Sequence, residues 1–297
     1  MTVRTRATLA LLTLNLLWAT IAPVSYLALP LGETRLTAVR FMAAGLAALP
    51  FVLRGRRPSW QDVLRCVALG VCGYGIGYVL YLEGVRLAGP SLTALAAAVE
   101  PIFTAACAWA FLHEGMGRNA AWSFTLAAAG AWLLAGAPRP GHGGHLFGIL
   151  LVVLSMCAYG FYNTLGKPVA TRVGGLALTG ISTLAVGVAF SPWLFVGPAW
   201  HAVPASAIWC SVYLGVIPGL AAYSLWFYVV SRAEIAYAAI FLYIQPVGGA
   251  VLSWVWLGES MGPVELAGGL LMLLAVFWGT RAERTIAERQ MAPESRR

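Results

Sequence analysis

Two short pairs, each a polar residue followed by proline, carry the chemistry most legible in this sequence. Glu100 precedes Pro101 near the middle of one apolar segment, and Gln245 precedes Pro246 at the matching place in another. A proline inside a helix removes one backbone hydrogen bond, here to the carbonyl of Ala97 or of Leu242. In hydrocarbon a freed carbonyl must find another partner, so such breaks survive where they line a cavity or are repaired by neighbours. Pro101 and Pro246 are therefore read as hinges, and the carbonyls of Ala97 and Leu242, or Glu100, as acceptors for a cation. Glu100 is the costliest side chain, because a charge at a bilayer centre costs about 3 kcal/mol on insertion scales. It must be protonated, paired with a donor, or in water. Protonated, it could carry a proton or merely hold a neighbouring helix by a hydrogen bond. Gln245 does not titrate and cannot repeat the proton-carrying role.

The remaining polar and aromatic groups within apolar segments suit binding more than bond-making. Asn15 and Trp18 lie three residues apart, and Tyr159 and Asn163 four apart, so each pair shares a helix face. Tyr74, Tyr78 and Tyr81 form a stripe of rings, which Tyr223, Trp226, Phe227 and Tyr228 echo less regularly; such stripes also serve as packing or interfacial anchors. Asn15, Trp18, Tyr78, Tyr81, Glu100, Tyr159, Asn163, Trp226, Tyr243 and Gln245 are the expected binding residues. An intramembrane enzyme would need a nucleophile–base pair or a metal set. The sequence has no HExxH or GxSxG pattern, and His113, His142, His145 and His201 fall in loops or at helix ends. No catalytic residue, no metal and no cofactor is expected. A channel is the other class that the segments allow.

These residues need long apolar elements to hold them. Of 297 residues 60% are hydrophobic and 10% charged, and the mean hydropathy is +0.79. That leaves too little polar surface for a soluble globule. Ten apolar runs, about 7–29, 36–53, 63–82, 91–112, 119–136, 146–166, 173–196, 206–230, 235–257 and 263–280, approach the roughly 20 residues that cross a bilayer. The expected fold is all-α integral membrane, with ten transmembrane helices.

The chain is also a diverged duplicate. Gly84-Val85-Arg86-Leu87-Ala88 faces Val229-Val230-Ser231-Arg232-Ala233, and Phe111-Leu112-His113-Glu114 faces Trp256-Leu257-Gly258-Glu259. Residues 1–140 and 141–297 are the two halves, joined at the Pro- and Gly-rich stretch 137–145, and 141–297 ends in a short tail expected in the cytoplasm. Five helices per half make the repeats inverted about an axis in the membrane plane. Pro23 and Pro168 are further candidate kinks.

The net charge of +8 does not mark a nucleic-acid partner. Among the 19 Lys and Arg, only Arg35, Arg40, Arg86 and Arg139 fall on the face opposite the termini. That bias places both termini in the cytoplasm and the basic residues against membrane lipids. The opening Arg4 and Arg6 before an apolar run read as a retained first helix. The five cysteines lie in apolar segments without a CxxC pair and read as small buried hydrophobes. Gly130, Gly268 and Gly269 could mediate a homodimer or pack within one protomer.

With these features assembled, the chain resembles the drug/metabolite transporter superfamily in its ten-helix EamA-type branch. The resemblance rests on Trp18-Ala19, Arg40-Phe41, the duplicated Glu100-Pro101 and Gln245-Pro246, and the closing Glu114 and Glu259. It departs from the pattern where the second copy carries Gln245 for Glu100. The resemblance implies a secondary transporter that moves small organic solutes by alternating access. Within the branch the chain is similar to YddG-type exporters of aromatic and other neutral amino acids. Sugar phosphates would want Lys or Arg inside, and only Arg40 approaches that description, near the outer end of its helix. The expected partner is a small-molecule substrate, exported across the cytoplasmic membrane.

Overall fold

Runs of Leu, Ala, Val and Gly longer than 20 residues favour helices that satisfy their own backbone groups, the arrangement lipid demands. The computed structural model describes residues 3–55, 57–114, 118–135, 145–196, 199–258, 262–264, 266–275 and 277–278. Among the described residues no strand occurs, and ten helices form an all-α membrane bundle, seven of them long and apolar enough to cross a bilayer and three shorter or less apolar. They are α1 (Ala7–Leu31), α2 (Glu33–Arg54), α3 (Trp60–Ala88), α4 (Pro90–Leu112), α5 (Arg118–Ala135), α6 (Leu146–Val173), α7 (Gly175–Ala189), α8 (Ala205–Val230), α9 (Ile235–Leu257) and α10 (Leu266–Ala275). The seventh is shorter than its apolar run because Pro192 starts a tight 3-10 turn over Ser191–Phe195.

Helices of one half pack on the partners that the inverted repeat requires. Helix α1 lies against α8 and α9, its counterpart α6 lies against α3 and α4, and α2 pairs with α7. The turn between the first two helices of each half is made by a glycine with positive φ, Gly32 at 81° and Gly174 at 89°, where a side chain would be strained. The register that matches these glycines, and Pro50 with Pro192, matches Arg40 in α2 with Ser182 in α7.

Four helices are interrupted, in symmetric pairs. In α4 the regular helix gives way to a 3-10 turn over Ala97–Val99, just before Glu100 and Pro101. In α9 the same turn covers Phe241–Tyr243, just before Gln245 and Pro246. Helix α3 widens into π-helical turns over Leu69–Gly75, and α8 over Gly215–Ala222, where Pro218 lacks an N–H. The Ala97 carbonyl accepts from the Glu100 N–H, and the Leu242 carbonyl shares the Ile244 N–H with that of Phe241, so each keeps a lone pair. Helix α1 also breaks, at Thr20 ahead of Pro23, whereas its counterpart runs through Pro168 without a break.

Glycine lets the widened helices touch their neighbours' backbones. A Cβ on Gly70 would meet the Ser182 main chain of α7 at 2.7 Å, and one on Gly215 would collide with the Arg40 carbonyl of α2. Gly130 of α5 lies against Gly268 and Met272 of α10, so these small residues pack within the protomer. Of the cysteines, Cys66 is buried but Cys72 is exposed on the outside of α3. Glu259 and the join at 137–144 lie outside the described residues, as does the tail beyond 278.

Candidate functional site

The interrupted stretches of α3, α4, α8 and α9 meet, with the middle of α1, α2 and α6, around one cavity. Its wall includes the rings of Trp18, Tyr74, Tyr81, Tyr159 and Tyr223, the small residues Ala94, Ala97 and Gly249, and the polar groups of Arg40, Glu100 and Gln245. Its volume is ≈ 40 Å³, room for only about three waters at the 10–15 Å³ that each needs.

The rings form a continuous assembly. Trp18 sits 4.7 Å from Tyr223, Tyr223 sits 4.6 Å from Tyr74, and Tyr74 stacks at 5.0 Å on Tyr162. Tilted and edge-on contacts of this kind suit the ring quadrupoles. Two of the rings also repair the widened part of α8. The Trp18 indole N–H donates to the Pro218 carbonyl at 2.9 Å, and the Tyr74 hydroxyl donates to the Gly219 carbonyl at 3.3 Å. Backbone groups opened by the π turn are thereby satisfied without water.

Each proline break carries its polar residue into the cavity and ties it to the other half of the chain. Asn163 of α6 donates its Nδ2 to Glu100 Oε1 at 3.0 Å. Gln245 donates its Nε2 to Asn15 Oδ1 of α1 at 3.1 Å, and Asn15 Nδ2 donates to the Leu11 carbonyl at 2.7 Å.

Of the residues expected from the sequence, the structure brings Trp18, Tyr81, Glu100, Tyr159, Gln245 and Pro246 to the cavity wall. Asn15 and Asn163 stand one layer behind, holding the two polar residues. Tyr78 also stands behind, stacked on Tyr81 at 6.2 Å with its hydroxyl 3.0 Å from Ser25 Oγ. Trp226 backs Trp18 at 5.8 Å, and Pro101 is buried within α4. Tyr243 faces away, towards Phe124 of α5 at 6.2 Å. Tyr74, Tyr223 and Arg40 are wall residues that were not among those expected.

Arg40 is the largest departure from the sequence reading. About two turns into α2 from its N-terminal end, it is buried at 1% exposure and borders the cavity. Its guanidinium carbon rests 3.8 Å above the Tyr78 ring, a cation–π contact, and its Nη2 donates to the Tyr74 hydroxyl at 3.3 Å. An arginine in the interior of an otherwise apolar run was the available signal, and its use in a charge-sidedness count hid it.

One end of the bundle is tied across the two halves. Lys167 Nζ of α6 donates to Glu114 Oε1 beyond α4 at 2.5 Å and to the Ala233 carbonyl at 2.8 Å, while Glu114 Oε2 accepts from the Ile235 N–H at 2.7 Å. Arg172 of α6 pairs with Asp62 of α3 at 2.9 Å on the same face. At the other end Arg86 bridges Glu33 and Glu83, joining only α2 and α3 of the first half.

An EamA-like transporter family model matches the chain twice, over residues 5–136 and 146–280. The chain is 30% identical, over 88% of its length and 86% of the relative's, to a probable terminal-alkyne amino-acid exporter of Streptantibioticus cattleyicolor. It is 26% identical to the uncharacterized inner membrane transporter YedA of Escherichia coli K12, over 80% of this chain and 78% of that one. A protein of known crystal structure, 22% identical, superposes with a TM-score of 0.74 over 95% of this chain and 99% of its own, which shows the fold. The chain belongs to the EamA-like transporter family, as a membrane-embedded protein of two inverted five-helix repeats.

Proposed function

We propose that this transporter exports amino acids, aromatic and other neutral ones, or similar small metabolites, across the cytoplasmic membrane by alternating access. One observation carries the reading: a cavity walled by aromatic rings lies where the interrupted helices of both repeats converge. Such a wall suits a flat, largely apolar solute, and the few polar groups suit its polar end. The relative from Streptantibioticus cattleyicolor, a probable terminal-alkyne amino-acid exporter, supports the amino-acid part of this reading.

The cavity of ≈ 40 Å³ is too small for phenylalanine, so the walls part before the solute binds. With both termini in the cytoplasm, the Glu114–Lys167 tie closes the cytoplasmic end. Export then alternates between this tied state and one in which α6 releases α4 and the start of α9. The proline breaks of α4 and α9 and the π-helical turns of α3 and α8 are where the bundle bends, because fewer regular backbone bonds resist motion there. The protein as a homodimer, and its contacts with membrane lipids, remain parts of this proposal.

The reading is tested by uptake of labelled phenylalanine, tryptophan, alanine and leucine into proteoliposomes, with and without a pH gradient. Saturable uptake that threonine or methionine competes supports it. No uptake of any of the four by folded protein would return the solute to another class within the family.

A further inference from the structure

We propose that Arg40 is the carboxylate-binding residue of this site and that, with Glu100 across the same cavity, it selects zwitterionic solutes. The inference deepens the amino-acid reading and rests on it.

Arg40 is buried to 1% exposure and borders the cavity, yet its Nε and Nη1 have no hydrogen-bond partner among the described residues. Nη2 is engaged by the Tyr74 hydroxyl, and the guanidinium lies against the Tyr78 ring. The backbone carbonyls opened nearby in α8 do not meet this need, since Trp18 and Tyr74 already donate to Pro218 and Gly219. A buried guanidinium with idle donors is costly, and the rings of Tyr78 and Tyr74 offset its charge only in part. Nε and one Nη of a guanidinium make the fork that takes a carboxylate by two parallel bonds.

The anion that completes it is not in the protein. Glu100 borders the same cavity, but its carboxylate is held by Asn163, and neither Arg40 nor Glu100 forms an ion pair among the described residues. The Arg40 guanidinium and the Glu100 carboxyl therefore face one small space without pairing with each other. A neutral solute would leave both unpaired, a polyamine would meet a cation, and a sugar phosphate would meet an acid. A molecule with an ammonium and a carboxylate on one carbon satisfies both, while the ring wall takes its side chain.

The test uses counterflow of labelled phenylalanine in proteoliposomes, with four unlabelled competitors: phenylalanine, phenylalaninamide, phenethylamine and 3-phenylpropionate. On the wild type, phenylalanine should compete at least about thirtyfold better than phenylalaninamide, the factor for the roughly 2 kcal/mol lost when one partner of a buried charge pair is removed. In Arg40→Gln, and more weakly in Arg40→Lys, that preference should fall towards one. Equal competition by phenylalanine and its amide on the wild type overturns the proposal without any variant. Phenylalanine transport that keeps its carboxylate preference in Arg40→Gln overturns it too. If the wild type moves no amino acid, intrinsic Trp fluorescence separates the two ideas. Arg40-dependent binding of 3-phenylpropionate would uphold the carboxylate site while the amino-acid reading fails, and its absence would end both.

Discussion

The two repeats build the same backbone and put different chemistry on it. The first contributes Arg40 from α2 and Glu100 from α4, and the second has Ser182 and Gln245 at the matching places. Ser182 spends its hydroxyl on the Cys66 carbonyl at 2.8 Å, and Gln245 donates to Asn15 at 3.1 Å. Both halves keep the 3-10 turn before the proline, the π-helical widening and the hydrogen bond that crosses to the opposite half. The lesson is a division of labour. Under the alternating-access proposal the bending device is needed twice, because each half would move against the other, whereas charge would be needed only where the polar end of a solute docks. A second acid and a second arginine would add burial cost without a partner.

That contrast can be erased most sharply at Glu100. Glu100→Gln makes the two breaks alike, and phenylalanine transport should fall by about 10–100-fold, the factor for losing a hydrogen bond to a charged group. Any effect of an imposed pH gradient should vanish with it. Gln245→Ala should cost only a few-fold, and equal losses in proteoliposome rates would erase the asymmetry. The glycine contacts come next. Gly70→Ala and Gly215→Ala both force a methyl into a neighbouring backbone and should each destabilise by about 1–3 kcal/mol, read as a lower unfolding midpoint in detergent. Gly215→Ala should in addition depress transport, because the backbone it displaces carries Arg40. The smallest effect separates the two crossing bonds. Asn163→Ala removes a donor to an acid and should cost about 1.5–3 kcal/mol, against about 1 kcal/mol for Asn15→Ala, in the same thermal assay.

Much of this was legible from residues. Pro101 and Pro246 announced their breaks because a missing N–H has the same consequence in any helix. Glu100 and Gln245 announced their importance because polar groups are expensive in hydrocarbon. The π turns were hidden: Gly70, Gly73 and Gly75, and Gly215, Pro218 and Gly219, marked weak helix, but one extra residue per turn leaves no trace in a 3.6-residue pattern. That shift helps explain why Tyr74 reaches the cavity while Tyr78 stands behind it. Tyr243 was misplaced for a related reason, since the 3-10 turn over Phe241–Tyr243 rotates its ring towards α5. Arg40 was misjudged because a sidedness count treats every arginine as a surface charge.

The central claim is that the solute sits between the two proline breaks, and labelling tests it most directly. Ala94 lines the cavity from α4 and is 4% exposed, whereas the native Cys72 is exposed on the outside of α3. In a protein with Ala94→Cys and only Cys72 retained of the native cysteines, the rate of maleimide modification would be measured with and without saturating phenylalanine. The account predicts that phenylalanine slows modification at position 94 and leaves Cys72 unchanged. Equal rates at position 94, in a protein that still transports phenylalanine, would place the solute elsewhere and contradict it.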